Sequence, residues 1–411
     1  MTAEPKPPIA PKKRLWSLLG PAFVAAVAYV DPGNVAANVT AGSRYGFTLV
    51  WILVLASAMA VLIQYQAAKL GIVTGKSIPA LIGGRLGDTG RRLYWAQAEI
   101  VAAATDLAEI IGGAIALNLL FDIPLVVGGV IVGIASMLLL LLKDKRGQRA
   151  FENTVIVFLG VIAIGFLTAL FMHPPQGGDV LGGLVPRFEG KDSVLVAASM
   201  LGATVMPHAI YLHSSLVGDR HGNVRSEGQI RRLLRATKVD VVGALIFAGF
   251  VNVGLLLLAA TALRGVPGTD TIEGAFDAVS STFGTAIGTL FAVGLLASSL
   301  ASTSVGAYAG SEIMKGLLKV QISLFARRII TVIPALVIFA AGAEPSWALV
   351  ISQVILSFGI PFAIIPLTLL TRDAKVMGRF RDSAFVQTLT IVTCVLIVAL
   401  NLLLLVLTAR G

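Results

Sequence analysis

The chain of 411 residues is 56% hydrophobic and only 13% charged, against roughly 45–50% apolar and about 25% charged in soluble domains. That much apolar surface cannot be hidden in one core, which excludes a soluble globular protein, and its continuous rather than alternating runs exclude a β-barrel. The single cysteine, Cys394, excludes an intrachain disulfide and any multi-cysteine metal site, while the formal net charge of +10 leaves nucleic acid or a membrane surface to be distinguished by where the charge lies.

The fold class expected is an all-α polytopic membrane protein with eleven transmembrane helices. In chain order the spans are about 15–44 (interrupted at 31–34), 48–74, 92–121, 124–142, 152–171, 193–216 (interrupted near 203–208), 238–263, 282–312, 326–342, 346–371 and 384–408. Lys12, Lys13 and Arg14 ahead of an apolar run have the look of a signal peptide. The run resumes beyond Asn34, however, and the later spans require that the first be retained. Placing the N-terminus inside gathers 26 of the 32 lysines and arginines on the cytoplasmic side, and only Arg44, Arg187, Lys191, Arg264 and Arg410 fall outside, with Lys69 inside the second span. This asymmetry sets the direction, puts the C-terminus outside, and assigns the basic charge to the anionic inner leaflet instead of nucleic acid.

Two spans are broken. The first reads "AYVDPGNVAAN" and the sixth "GATVMPHAIYL". They head two five-helix blocks, 15–171 and 193–371, after a tail at 1–14 and before an added helix at 384–408. Because five is odd, the second block enters the membrane from the opposite side. Interrupted helices at matched positions of inverted halves mark the mid-membrane site of a secondary transporter. Proline lacks an N–H and crowds the carbonyl four residues earlier, so Pro32 frees the Ala28 carbonyl and Pro207 that of Ala203. An unpaired carbonyl in hydrocarbon is costly unless it lines a cavity or meets a cation. Asp31 adds a carboxylate, itself disfavoured in a membrane by roughly 2.5–3.5 kcal/mol. Asn34 adds an amide oxygen and Met206 a thioether. Oxygens with one soft sulfur suit a divalent transition metal better than Mg²⁺ or Ca²⁺, which prefer oxygen alone.

At "DPGN" and "MPH" the sequence resembles the Nramp family of proton-coupled divalent-metal transporters, in its bacterial manganese-transport branch. "LGIVTGKS", "TDLAEIIGGAIAL" and "SQVILSFGIPFAIIPL" extend the likeness across nearly the whole chain. The resemblance implies a LeuT-like 5+5 inverted repeat with discontinuous helices 1 and 6. It implies a symporter of the bacterial inner membrane that imports Mn²⁺ and Fe²⁺ with protons by alternating access. Metal ligands carry over onto Asp31, Asn34, Met206 and the carbonyls of Ala28 and Ala203, and Gln353 matches a glutamine that joins the site in some conformations. Magnesium-selective relatives lack the methionine that stands here at 206.

A second polar line is legible apart from the resemblance. Glu99, Asp106 and Glu109 share one face of the third span, and such a row must face a wet or paired interior. Arg327 and Arg328 open the ninth span, and His208 and His213 continue the sixth. The family reading makes Asp31, His208, Asp106, Glu109 and Arg328 a proton route, with Glu99, Arg327 and His213 as further candidates. "GIVTGKS" has the wrong glycine spacing for a phosphate loop and no strand before it, so ATP is not expected. No resident cofactor is expected beside the transported metal and protons. The alternatives are a Mg²⁺ or organic-amine carrier of the same fold, an intramembrane metalloenzyme, for which no HExxH or histidine cluster exists, and a passive channel.

Overall fold

In lipid the backbone must satisfy its own polar groups, so each long apolar run closes into a helix. The structure, a computed structural model, describes residues 20–146, 148–221, 226–320 and 324–409. The predicted tail 1–14, the first residues of the first span, Arg225 and Arg410 lie outside these, as do the side chains of Lys143, Lys145 and Arg146.

The helices are α1 (Pro21–Ala28), α2 (Pro32–Tyr45), α3 (Val50–Thr74), α4 (Ile78–Gly83), α5 (Asp88–Phe121), α6 (Leu125–Arg146), α7 (Gln148–Met172), α8 (Gly177–Gly182), α9 (Gly190–Thr204), α10 (Pro207–His221), α11 (Glu227–Leu258), α12 (Ile272–Phe283), α13 (Thr285–Leu318), α14 (Leu324–Ala340), α15 (Pro345–Arg372), α16 (Ala374–Met377) and α17 (Ala384–Ala409). Every predicted span has a helix or a broken helix pair at its place. Among the described residues, eight stretches are long and apolar enough to cross a membrane by length and composition, the broken pair Gly190–Arg220 included. The segments not in that set are the short pair α1–α2, α6, whose apolar part is Leu125–Leu139, and the 17-residue α14.

Two helices start earlier than hydropathy indicates. Ser226 caps α11, its hydroxyl accepting from Gln229 N–H at 3.3 Å, and Glu227 pairs with Arg231 at 2.6 Å one turn on. Asp88 likewise pairs with Arg91 at 2.7 Å at the start of α5. Charged turns of this kind extend a helix past the hydrocarbon, where a hydropathy window stops. The short helices α4, α8, α12 and α16 were not anticipated, being below the length of a span.

Around the site, α2 packs on α9, α11 and α15, while α1 packs on α10, α11 and α13. Absent side chains set the closest approaches. A Cβ at Gly112 would lie 2.0 Å from Pro32 Cβ, and one at Gly202 would lie 1.9 Å from the Gln353 carbonyl oxygen. Small residues at crossings are how helices pack where lipid supplies no hydrophobic drive.

Candidate metal centre and charged line

The first break spans Tyr29, Val30 and Asp31, between the end of α1 at Ala28 and the start of α2 at Pro32. Its carbonyls are satisfied one by one. Asn252 Nδ2 donates to Tyr29 O at 2.5 Å, Ser298 Oγ to Val30 O at 2.5 Å, and Val35 N–H to Asp31 O at 3.1 Å. The turn bonds run from Tyr29 to Ala26 and from Val30 to Val27, bypassing Ala28. Its carbonyl is the one that Pro32 leaves open.

Asp31 caps α2. Its Oδ1 accepts from Asn34 N–H at 2.7 Å and from Asn34 Nδ2 at 2.8 Å. The same Asn34 amide donates at 2.8 Å to Ala203 O, the carbonyl opened by Pro207 in the second break. One side chain thus joins two breaks that are remote in sequence. Its donor end lies between two oxygens, the position a cation between the same groups would take. Asp31 Oδ2 and Asn34 Oδ1 are buried with no hydrogen-bond partner. Met206 lies in the second break and is fully buried.

Gln353 of α15 arrives through two glycines. A Cβ at Gly33 would fall 1.9 Å from its Nε2, and its backbone rests on Gly202, next to Ala203. Its Nε2 donates to Ser352 Oγ at 3.2 Å, and its Oε1 is buried without a partner. Asp31, Asn34, Ala203, Met206 and Gln353 are all 0% exposed and Ala28 is 1% exposed, so the centre is sealed from both faces. Among the described residues no three His, Cys, Asp or Glu side chains group closely enough to hold a metal. The donor set is therefore a mixed one: carboxylate, amide, thioether and carbonyl.

The charged line continues from this centre. His208 Nδ1 lies 3.2 Å from Thr105 Oγ1, whose own proton goes to Val101 O at 3.1 Å. Nδ1 is thus held by the Thr105 hydroxyl, while Nε2 is buried with no partner. Glu109 lies within electrostatic range of Asp31, Asp106 and Arg328. Asp106 meets Arg328 at 3.3 Å and Glu99 meets Arg327 at 2.8 Å. Both arginines are buried, Arg327 at 5% and Arg328 at 3% exposure, so each meets its carboxylate away from solvent. Glu109 has no hydrogen-bond partner for either oxygen.

Room for these groups comes from α13. A Cβ at Gly306 would lie 2.9 Å from Glu109 Oε2 and 3.3 Å from Asp106 Oδ1, and one at Gly310 would lie 2.0 Å from Arg327 Nη2. The signal for this was in the sequence as "GAYAG", two glycines one turn apart.

His213 lies elsewhere. Its Nδ1 meets Gln64 Oε1 at 2.8 Å, and Gln64 Nε2 donates to Tyr29 OH at 2.5 Å. That chain connects α10 and α3 to the first break and contains none of the carboxylates. Sequence reasoning missed Gln64, Tyr29, Thr105, Ser298 and Asn252. An uncharged polar residue in an apolar run is common, and only its partner gives it meaning. It also missed Asp240, whose carboxylate accepts from Gly20 N–H at 3.1 Å and Ala22 N–H at 3.0 Å and so caps α1. Lys69 is paired with Asp382 at 2.7 Å.

Two broken helices whose breaks meet at a buried carboxylate define a multi-pass membrane transporter rather than an enzyme. The particular family is equally plain: the Nramp profile, natural resistance-associated macrophage protein-like, matches residues 22–407, and the chain belongs to that family. It is 55% identical over 399 residues to the divalent metal cation transporter MntH of Mycobacterium tuberculosis, covering 97% of this chain and 93% of the relative. Its fold superposes on the manganese transporter of Eremococcus coleocola with a TM-score of 0.85 at 30% identity, covering 98% of this chain and 88% of that one. The LeuT-type architecture also appears in the likeness to MhsT, at a TM-score of 0.64 and 16% identity over 95% of this chain and 97% of that one.

Proposed function

We propose that this chain is a proton-coupled symporter that brings Mn²⁺ and Fe²⁺ into the cytoplasm by alternating access. Divalent-metal transport is the function its relatives carry in their names. The observation that bears most on it is the convergence of Asp31, Asn34 and the Ala203 carbonyl in one sealed centre, with an Asp31 oxygen and the Asn34 carbonyl oxygen unpartnered. Asp31, Asn34, Met206 and the carbonyls of Ala28 and Ala203 are the ligands in this reading, with Gln353 joining as α15 shifts. Binding requires the Asn34 amide to turn its oxygen toward the ion and release Ala203. The thioether favours Mn²⁺ and Fe²⁺ over Ca²⁺ and Mg²⁺.

Proton coupling is supported by charge balance. Glu99, Asp106 and Glu109 face Arg327 and Arg328, so one carboxylate is in excess and a proton is the counter-charge at hand. The route runs from Asp31 past His208 and Glu109 to Asp106–Arg328 and Glu99–Arg327. His213, on its separate chain with Gln64 and Tyr29, stands apart from this line. The basic loops put the N-terminus inside and the C-terminus outside, in the inner membrane of a bacterium. The halves 15–171 and 193–371 are the inverted repeats that rock about the centre. No step draws on ATP.

The test is Mn²⁺ uptake into proteoliposomes with a simultaneous internal pH readout and Ca²⁺ and Mg²⁺ as competitors. Lumenal acidification should accompany Mn²⁺ entry, and entry without it refutes coupling. Saturable Mn²⁺ uptake by Asp31→Ala would refute the site.

A further inference from the structure

The basic residues of the inner face are not evenly spread. Arg231 and Arg235 stand one turn apart on the charged extension of α11. Arg379 comes to them from the turn Gly378–Phe380 that follows α16. The three line a pocket of about 300 Å³ with Leu234 and Phe380 as its apolar wall. The turn is fixed in place, because Phe380 packs against the cluster that includes Ala68, Ile72, Val217 and Leu234.

The charge in the pocket is lopsided. Among the described residues the carboxylate within ion-pair distance of these arginines is Glu227, which takes Arg231 at 2.6 Å and lies 3.7 Å from Arg379. It cannot neutralise both, and among the described residues Arg235 has no ion-pair partner. Three guanidinium forks around one small volume repel a metal cation and match the oxygens of a phosphate, which arginine binds in bidentate fashion. Depth is fixed by the same helix. Immediately beyond the pocket α11 presents Val239, Ile246 and Phe250 outward, at 54%, 62% and 52% exposure, as a lipid-facing surface. The arginines therefore stand at headgroup level, and the wall of Leu234 and Phe380 faces the place where glycerol and the first acyl carbons would follow.

We propose that Arg231, Arg235 and Arg379 form a binding site for the phosphate headgroup of an anionic phospholipid of the inner leaflet. A lipid held there joins α11 to the linker between α15 and α17, with its phosphate on the arginines and its glycerol on Phe380. The leaflet assignment rests on the orientation proposed above, whereas the site itself does not.

The experiment measures binding of fluorescent phosphatidylglycerol to the full chain in a non-ionic detergent. R231Q/R235Q/R379Q should weaken binding at least about tenfold, and R231K/R235K/R379K, which keeps the charge and loses the fork, at least about threefold. K315Q/K319Q, on the inner face away from the pocket, should leave it unchanged, and millimolar inorganic phosphate should not compete. Monodisperse elution at the wild-type volume shows that the variants fold. Unchanged affinity in the glutamine triple variant overturns the site. An equal loss in K315Q/K319Q reduces it to diffuse surface charge and overturns it too. Competition by inorganic phosphate transfers the site to free phosphate and overturns the lipid. Labelling of a single cysteine at Gly228, in a Cys394→Ser background, reads the orientation independently of the binding result.

Discussion

Asn34→Ala removes a side chain that ties the two breaks together. The amide donates at 2.8 Å to Asp31 Oδ1 and at 2.8 Å to the Ala203 carbonyl. Asp31 Oδ1 keeps the backbone N–H of residue 34 at 2.7 Å, so the α2 cap survives. The Ala203 carbonyl keeps no such bond, because the residue four positions on is Pro207. One orphaned buried acceptor costs about 1–3 kcal/mol, which is the loss of stability expected without metal. The variant also lacks the amide oxygen offered to the ion, and loss of one neutral ligand should raise the Kd for Mn²⁺ about tenfold, or about 1.4 kcal/mol. The two effects separate in thermal unfolding followed by tryptophan fluorescence, with EDTA and then with Mn²⁺. At Mn²⁺ near one hundred times the wild-type Kd, the metal should stabilise the wild type by about 2.7 kcal/mol and the variant by only about 1.4 kcal/mol. Equal Mn²⁺-induced stabilisation in the two proteins would refute the assignment of Asn34 as a ligand.

Three further outcomes are expected. Met206→Ala should retain Mn²⁺ uptake and lose discrimination against Ca²⁺ and Mg²⁺ in competition assays; unchanged selectivity would count against the thioether argument. Gly202→Ala places a Cβ 1.9 Å from a backbone oxygen of α15, so the helices must part, at about 1–3 kcal/mol. Gly33→Ala meets the end of the Gln353 side chain first and should be milder, and the reverse order of melting temperatures would show the packing argument to be wrong. At the C-terminal end of α2 the Arg44 hydrogen bond holds the Asp270 carboxyl below its usual range. A depressed carboxyl pKa adds stability above about pH 4 and loses it as pH falls through the folded value. Because the pair is largely exposed, Arg44→Gln should cost no more than about 1 kcal/mol at neutral pH and nothing in strong acid; pH-dependent unfolding of both proteins measures this.

The breaks were legible because proline chemistry is local: Pro32 and Pro207 name the carbonyls they free without any knowledge of the fold. The spans were legible because lipid allows little besides helices. What only the folded structure gives is pairing. Glu99, Asp106 and Glu109 declared a charged face, yet nothing in the sequence matched Asp106 with Arg328 and Glu99 with Arg327. The hydrogen bond from Asn34 to Ala203 was equally hidden, since both could be named as ligands without being known to touch. His213 shows the limit of adjacency: five residues after His208 on one helix, it faces Gln64 of α3 and belongs to a different network. Helix ends such as Glu227 were misplaced because capping and ion pairs extend a helix beyond the lipid.

Gly306 and Gly310 of α13 bear on how natural variants of this protein would be read. Gly310 carries no chemistry, and an alanine there would pass as the gentlest of substitutions. Yet the added methyl would occupy a point 2.0 Å from the Arg327 guanidinium, and the arginine would have to leave its place opposite Glu99. A harmless-looking allele at 310 should therefore share the phenotype of a missing arginine, and a survey confined to charged positions would pass over it.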